Sequence, residues 1–164
     1  MPTDSELELE EDTQKGKYLT FSLGREDYGL EIRFVTEIIK LQPITEIPEM
    51  PDYIKGIINL RGKIIPLMDV RLRFKKTEIT YNDRTCVIVI DIDEVTIGLI
   101  VDSVSEVLSI PDEEIVLPPD LKKDSNRYIS GIGKVGGDVK LLIDGMKLLS
   151  DDDALLVEKM SERG

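Results

Sequence analysis

Short stretches of alternating apolar and polar residues, separated by turn residues, run through most of the chain. Residues 18–23 and 28–32 alternate in this way around a turn at 24–27, which is the pattern of two strands in a hairpin. The same alternation predicts further hairpins over 57–68, 85–101 and 128–143. Two segments favour helical turns instead, 33–39 and 51–56; the second begins at a proline and ends at a glycine. The pattern therefore predicts a mostly all-β protein with short helical turns.

The two ends of the chain differ from this pattern. Residues 1–16 are acidic and polar without periodicity, which predicts a disordered tail. Residues 151–164 predict a C-terminal helix, because Ser150 can cap its first turn and early acidic residues favour a helix N-terminus. The apolar face of this helix would comprise Leu155, Leu156 and Met160. The folded domain is accordingly expected to span 17–150.

The two halves of this domain resemble each other in sequence. Three segments of the first half have counterparts in the second: 28–30 with 97–99, 35–39 with 104–108, and 53–57 with 128–132. We therefore expect one unit over about 17–80 and a second over about 84–150. A unit of roughly 60 residues is marginal alone, so the two are expected to form small barrels with a shared core. The groove between two such barrels would suit a partner helix.

Charge limits the classes of partner. The 164-residue chain has a net charge of -12, which disfavours nucleic acid and anionic membrane surfaces. A basic strip at 61–76 is the exception, and a nucleic-acid-binding β-barrel using this strip stays open as the alternative function. No apolar run approaches the roughly 20 residues of a membrane-spanning helix, so no direct membrane insertion is predicted.

The residues available for catalysis are few. The chain has no histidine and a single cysteine, Cys86, so neither a Cys-His nor a Ser-His-Asp nucleophile is available. An enzyme that uses paired carboxylates would need two acids converging in a pocket. The acids here concentrate in the tails and turns, which argues against such an enzyme. We predict no catalytic residue, no metal site and no cofactor.

Several motifs resemble the CheW family. They are Ile-Lys-Gly-Ile-Ile-Asn-Leu-Arg-Gly at 54–62 and Ile-Pro-Leu-Met-Asp-Val-Arg at 65–71, supported by similar segments at 98–102, 104–107 and 128–131. The match is collinear over roughly 16–150. The resemblance implies two tandem SH3-like five-stranded β-barrels and a non-enzymatic adaptor. Its partners would be the regulatory domain of the histidine kinase CheA and the cytoplasmic tip of a chemoreceptor. It also implies a cytoplasmic protein recruited to receptor arrays at the inner membrane.

The resemblance also points to residues for the two partners. Receptor binding is expected at Val35, Glu37, Ile38, Gly56, Asn59, Arg61 and Gly62. Arg61, at the predicted tip of a hairpin, could bind a receptor carboxylate with both guanidinium nitrogens. Kinase binding is expected at Gly98, Val104 and Val107. For the apolar residues and the glycines, packing inside the barrels is the alternative role, and the sequence leaves that choice open.

Overall fold

The computed structural model describes residues 14–118 and 127–149. The first half forms five strands and a helical turn: β1 (Lys17–Leu23), β2 (Glu26–Glu31), β3 (Val35–Lys40), β4 (Ile54–Leu60), β5 (Lys63–Asp69) and α1 (Val70–Arg73). The second half forms β6 (Cys86–Ile92), β7 (Val95–Val101), β8 (Ser103–Ser109), β9 (Ile115–Val116), β10 (Ile129–Val135), β11 (Asp138–Ile143) and α2 (Gly145–Leu148). Two short 3-10 helices lie at Ile32–Phe34 and Asp112–Glu114. The predicted tail up to residue 13 and the predicted helix at 151–164 lie outside the described residues.

The strands form two curled sheets. One has the order β8-β1-β2-β11-β10-β9 and is called barrel A; the other has the order β3-β6-β7-β5-β4 and is called barrel B. Each barrel joins its two parts through a parallel pair, β2 with β11 in barrel A and β5 with β7 in barrel B. Barrel A has one strand more than the predicted five because the two-residue strand β9 extends its edge.

Each barrel contains strands from both halves of the chain. The hairpin β1–β2 belongs to barrel A with strands of the second half, and its counterpart β6–β7 belongs to barrel B with strands of the first half. The barrels therefore do not coincide with the predicted units 17–80 and 84–150. Sequence alternation shows which segments are strands, but both copies of a hairpin have the same alternation, so it does not show which copy pairs with which edge.

The internal duplication is visible in local geometry. Asp69 caps α1 by accepting a hydrogen bond from the Leu72 amide, and Asp144 caps α2 in the same way from the Met146 amide. The amides of the two aspartates donate to equivalent carbonyls, those of Tyr53 and Tyr128. The equivalent strands β5 and β11 are thus each followed by the same capped helical turn.

One segment differs from its sequence prediction. Residues 33–39 were expected to form helical turns, but only Ile32–Phe34 is a 3-10 helix, and Val35–Lys40 is strand β3 paired with β6. Val35, Thr36, Ile38 and Ile39 are β-branched, which favours a strand. Similarly, 51–56 is a turn that enters β4 at Ile54 rather than a helical turn.

Among the described residues, most buried hydrophobic side chains belong to one of two clusters. The larger, the shared core, lies between the barrels and includes Leu19, Phe21, Tyr28, Leu30, Met68, Ile88, Ile90 and Leu99. The smaller, the inner cluster of barrel B, comprises Ile58, Ile65, Leu67, Val87, Val89 and Ile100. Because full burial of one such side chain stabilises by about 1.5–3 kcal/mol, the shared core is what joins the two barrels into one body.

Candidate functional site

The tip of the β4–β5 hairpin presents Arg61 to solvent. Arg61 and Gly62 both have left-handed backbone angles, with φ of 52° and 86°, as a two-residue hairpin turn requires. The Gly62 amide donates to the Asn59 side-chain oxygen at 2.8 Å, which holds the turn closed. The Arg61 side chain is 71% exposed. Three of the predicted receptor residues therefore form one structural unit at this tip.

Glu37 joins the same unit from another strand. Its two carboxylate oxygens lie 2.7 and 2.6 Å from Nη2 of Arg61. Glu37 is on β3 and Arg61 follows β4, and these strands are the two ends of the sheet order in barrel B. The ion pair therefore bridges the gap where the barrel closes. An exposed pair of this kind contributes only about 0–1 kcal/mol, so its main effect is to orient the guanidinium.

Two edge strands present matched aliphatic side chains. On β3, Val35 packs against the shared core and Ile38 is 44% exposed. On β8, Val104 packs against the shared core and Val107 is 49% exposed. Because β3 and β8 are counterparts in the repeat, each barrel has one inner valine and one outer aliphatic residue at the margin of the core. The predicted receptor residues on β3 and the predicted kinase residues on β8 thus lie on equivalent edges of different barrels.

The two remaining predicted residues, Gly56 and Gly98, are buried. A Cβ at Gly98 would lie 2.6 Å from both Leu67 Cδ2 and Val87 Cγ1, inside barrel B. Gly56 has φ of 143°, and a Cβ there would meet the Thr45 carbonyl oxygen at 2.1 Å. These glycines permit close packing, so any influence on partner binding is indirect.

Sequence reasoning missed a polar clasp between the barrels. Nε and Nη2 of Arg71 donate to the two Asp102 carboxylate oxygens at 2.7 and 2.6 Å, and the Gly24 amide donates to the same carboxylate at 2.7 Å. Gly24 lies in the β1–β2 turn of barrel A, whereas Arg71 follows β5 of barrel B. Both residues of the ion pair lie in the motifs at 65–71 and 98–102, but only the folded chain shows that they meet.

The clasp shifts the pKa values of both partners. Burial alone would raise the pKa of the Asp102 carboxyl, but the hydrogen bonds from Arg71 and from the Gly24 amide outweigh it and lower the pKa. The hydrogen bond to Asp102 raises the pKa of Arg71 against the opposing effect of burial. Both groups are therefore held in their charged forms.

The basic strip does not form a free cationic face. Arg61 pairs with Glu37, Arg71 with Asp102, and Lys76 with Glu26 at 3.1 Å. Arg73 is buried, with its guanidinium carbon 4.5 Å from the centre of the Tyr53 ring. Because the strip is largely neutralised within the chain, the structure gives no support to the nucleic-acid alternative.

Residues 17–153 match the family model described as the CheW-like domain. The chain belongs to the CheW family. The chemotaxis protein CheW of Klebsiella aerogenes is 37% identical over 147 residues, which cover 89% of this chain and 89% of that protein. The chemotaxis protein CheW of Bacillus subtilis is 30% identical and covers 84% of this chain and 89% of its own length.

A solved structure is also similar. The scaffolding protein TtCheW from Thermoanaerobacter tengcongensis superposes with a TM-score of 0.78 at 38% identity, covering 84% of this chain and 94% of that chain. This confirms the predicted fold of two SH3-like barrels. As a member of the CheW family, the chain is a non-enzymatic adaptor of chemotaxis signalling. Within 14–118 and 127–149, no helix has the length and apolar character needed to cross a membrane.

Proposed function

We propose that this chain links the cytoplasmic tip of chemoreceptors to the regulatory domain of the histidine kinase CheA, in the cytoplasm and at receptor arrays of the inner membrane. The observation that carries this proposal is the pair of equivalent edges on different barrels, with Ile38 and the Arg61–Glu37 pair on the barrel B edge and Val107 on the barrel A edge. Two separate edges allow two partners to bind at once, which is what an adaptor needs.

The receptor face is assigned to the barrel B edge. There an exposed aliphatic residue on β3 belongs to the same barrel as an exposed, oriented arginine. An apolar anchor with a guanidinium that can bind a carboxylate suits an amphipathic receptor helix carrying an acidic residue. Glu37 would hold the arginine in place until the partner's carboxylate replaces or joins it.

The kinase face is assigned to the barrel A edge. Val107 on β8 is exposed without an adjacent ion pair of the Arg61 type among the described residues. Val107 is the repeat counterpart of Ile38, so this edge presents an equivalent exposed aliphatic side chain, which suits an apolar contact with a domain of the same fold. Interfaces of transient signalling complexes can be small, so a charge placed at one exposed aliphatic position should be enough to weaken the contact.

Reconstitution tests the two assignments separately. Receptor-containing vesicles, CheA and this chain are mixed, and both receptor-dependent kinase activation and co-sedimentation are measured. Arg61→Glu should weaken sedimentation with receptor by about tenfold, or ~1.4 kcal/mol, and Val107→Asp should do the same for the kinase. Matched controls are Lys134→Glu, an exposed lysine on β10, and Val139→Asp, an exposed valine on β11 of the same barrel as Val107.

A charge swap separates receptor contact from positioning within the chain. The double variant Glu37→Arg with Arg61→Glu retains an ion pair but reverses its polarity. If Arg61 binds a receptor carboxylate, the swap should remain defective, whereas full rescue would show that the pair acts only inside the chain. Receptor affinity unchanged in Arg61→Glu would contradict the receptor assignment altogether.

A further inference from the structure

Strand β8, which carries the exposed Val107, contains a β-bulge where it pairs with β1. Val104 lies opposite Phe21 of β1. Val107, three residues further along β8, lies opposite Leu19, which is only two residues from Phe21. Two residues of β8 therefore face the single residue Thr20, and this two-against-one pairing defines a bulge.

The bulge decides which side chain β8 presents beside Leu19, a residue of the shared core. Successive side chains of a strand point to opposite faces, so a register shift of one residue exchanges the two faces. If the register continued unbroken from the Val104 pair, Glu106 would lie opposite Leu19 in place of Val107. The bulge thus places an aliphatic side chain, rather than a carboxylate, at this margin of the core.

The Thr20 side chain holds the bulge from the neighbouring strand. Its hydroxyl donates to the Glu106 carbonyl oxygen at 2.7 Å and accepts from the Glu106 amide at 3.1 Å. Thr20 is buried, so these bonds are made away from bulk solvent. A bulge interrupts the regular ladder of backbone hydrogen bonds. Here one hydroxyl bonds both backbone polar groups of the residue that precedes Val107.

The matching bulge in barrel B is held differently. The register of β3 against β6 shifts between Val35 and Glu37, at the position in the repeat that corresponds to the β8 bulge. The residue equivalent to Thr20 is Val89, which has no hydroxyl. Instead, Thr36 within the bulge donates to the Val89 carbonyl at 3.1 Å. The hydroxyl that reaches the bulge from the partner strand is therefore a feature of barrel A alone.

We propose that Thr20 is a positioning residue for the kinase face. By bonding the Glu106 backbone, its hydroxyl holds β8 in the register that presents Val107, although Thr20 is buried and does not itself meet the partner. A partner binds only the fraction of chains whose edge has the competent arrangement, so loss of the hydroxyl lowers the apparent affinity. This inference rests on the proposed assignment of kinase binding to the barrel A edge.

Amide hydrogen exchange tests the effect on the bulge without any partner. Thr20→Val keeps the branched shape but removes the hydroxyl, whereas Thr20→Ser keeps the hydroxyl. We expect the Glu106 amide to exchange about three- to tenfold faster in Thr20→Val, as the net loss of one hydrogen bond implies. In Thr20→Ser it should exchange at nearly the wild-type rate. Equal exchange in wild type and Thr20→Val would overturn the proposal.

Titration calorimetry with the CheA regulatory domain tests the positioning role. We expect binding to weaken about three- to tenfold in Thr20→Val and to stay within about twofold of wild type in Thr20→Ser. The matched control is Thr36→Val, which removes the hydroxyl at the barrel B bulge and should leave kinase-domain binding unchanged. An equal loss in Thr20→Ser or in Thr36→Val would contradict a specific role of the Thr20 hydroxyl.

Two further measurements separate this inference from the proposed function. Receptor co-sedimentation of Thr20→Val should equal that of wild type, because the proposed receptor face lies on barrel B; a parallel loss would show a merely structural role. Normal kinase-domain binding by Val107→Asp would overturn the kinase face itself, and this inference with it. Loss of binding in Val107→Asp together with wild-type affinity in Thr20→Val would overturn only the positioning role.

Discussion

The two barrels have the same strand plan but different interiors. Barrel B contains the inner cluster of six buried aliphatic residues, including Ile58, Ile65 and Val89. At the counterpart positions barrel A has Gly133, Lys140 and Thr20. Lys140 pairs with Asp27 at 2.8 Å, and the Thr20 hydroxyl donates to the Glu106 carbonyl at 2.7 Å. Among the described residues, barrel A is therefore held by polar contacts, by the shared core and by a small interior that includes Ile110 and Leu142. Barrel B has the larger hydrophobic interior.

The two copies of the repeat therefore share their strand pairing more closely than the side chains that fill each barrel. Strand pairing is fixed by backbone hydrogen bonds, which tolerate many side chains, whereas a filled interior needs complementary volumes. Barrel A is expected to open locally at lower free energy than barrel B. The proposed kinase face would then lie on the barrel that opens at lower free energy, and the proposed receptor face on the more stable barrel.

The largest expected effect on stability comes from truncating a buried side chain inside barrel B. Ile58 is 2% exposed in the inner cluster, and Ile58→Ala should lower the free energy of unfolding by about 2–5 kcal/mol. Chemical denaturation measures this loss. Leu117→Ala serves as control because Leu117 is 83% exposed, and its cost should stay within about 0.5 kcal/mol. A cost for Ile58→Ala as small as that of the control would contradict a separately packed barrel B.

The next effect concerns the clasp that joins the barrels. Asp102→Asn removes a charged acceptor of hydrogen bonds from Arg71 and Gly24, so we expect a loss of about 1.5–3 kcal/mol at neutral pH. Because the folded pKa of Asp102 lies below its ordinary value of 3.8, the clasp stabilises above that value and loses its contribution as pH falls through the lower folded pKa. Denaturation at several pH values measures the difference between wild type and variant.

The pH series has its own control. Asp27 also has a lowered pKa, chiefly because of its hydrogen bond from Lys140, but this pair lies within barrel A and is partly exposed. Asp27→Asn should therefore cost less than Asp102→Asn. A wild-type advantage over Asp102→Asn that persists at equal size well below the ordinary carboxyl pKa would rule out the clasp as its source.

A matched pair of glycine substitutions compares the interiors directly. Gly98 in barrel B and Gly29 in barrel A are repeat counterparts. A methyl group at Gly98 would approach Leu67 and Val87 to 2.6 Å, whereas at Gly29 the nearest atom is Leu142 Cδ2 at 2.9 Å. Gly98→Ala should cost about 1–3 kcal/mol through overpacking, and Gly29→Ala less. Thermal unfolding of both variants decides this, and the reverse order would contradict the looser interior of barrel A.

The smallest expected effect on stability is at the candidate receptor face. Arg61→Ala removes an exposed ion pair with Glu37, so the free energy of unfolding should change by about 0–1 kcal/mol. The same variant should weaken receptor binding. Chemical denaturation alongside receptor co-sedimentation separates the two, and a large stability loss would mean that Arg61 holds barrel B closed rather than serving a partner.

The sequence predicted the strands and the duplication but not the exchange of hairpins. The alternation at 18–23, 28–32 and in the later hairpins corresponds to β1, β2, β4 to β7, β10 and β11. The β3 segment was predicted as helical turns because Arg33 to Ile39 is too short for its hydrophobic period to distinguish a helix from a strand. It is a strand because it pairs with β6, which lies more than 40 residues away in sequence. The local hydrophobic pattern carries no information about such long-range pairing.

The candidate site was predictable residue by residue but not as an arrangement. Arg61 and Gly62 favour a two-residue hairpin turn, so the exposure of Arg61 could be predicted from the local sequence. Its pairing with Glu37 depends on how barrel B closes, since the two residues lie on opposite ends of the sheet order. The burial of Gly98 likewise depends on β7 lying between β6 and β5, which only the exchanged topology provides.

The most direct test of the proposed adaptor role is whether one chain holds both partners at once through different barrels. Titration calorimetry measures binding of the CheA regulatory domain to the chain alone and to the chain saturated with a soluble receptor-tip fragment. We expect saturable kinase-domain binding in both cases, lost in Val107→Asp and retained in Arg61→Glu. Kinase-domain binding that receptor abolishes, or that Arg61→Glu removes while Val107→Asp leaves it intact, would contradict the proposed adaptor role.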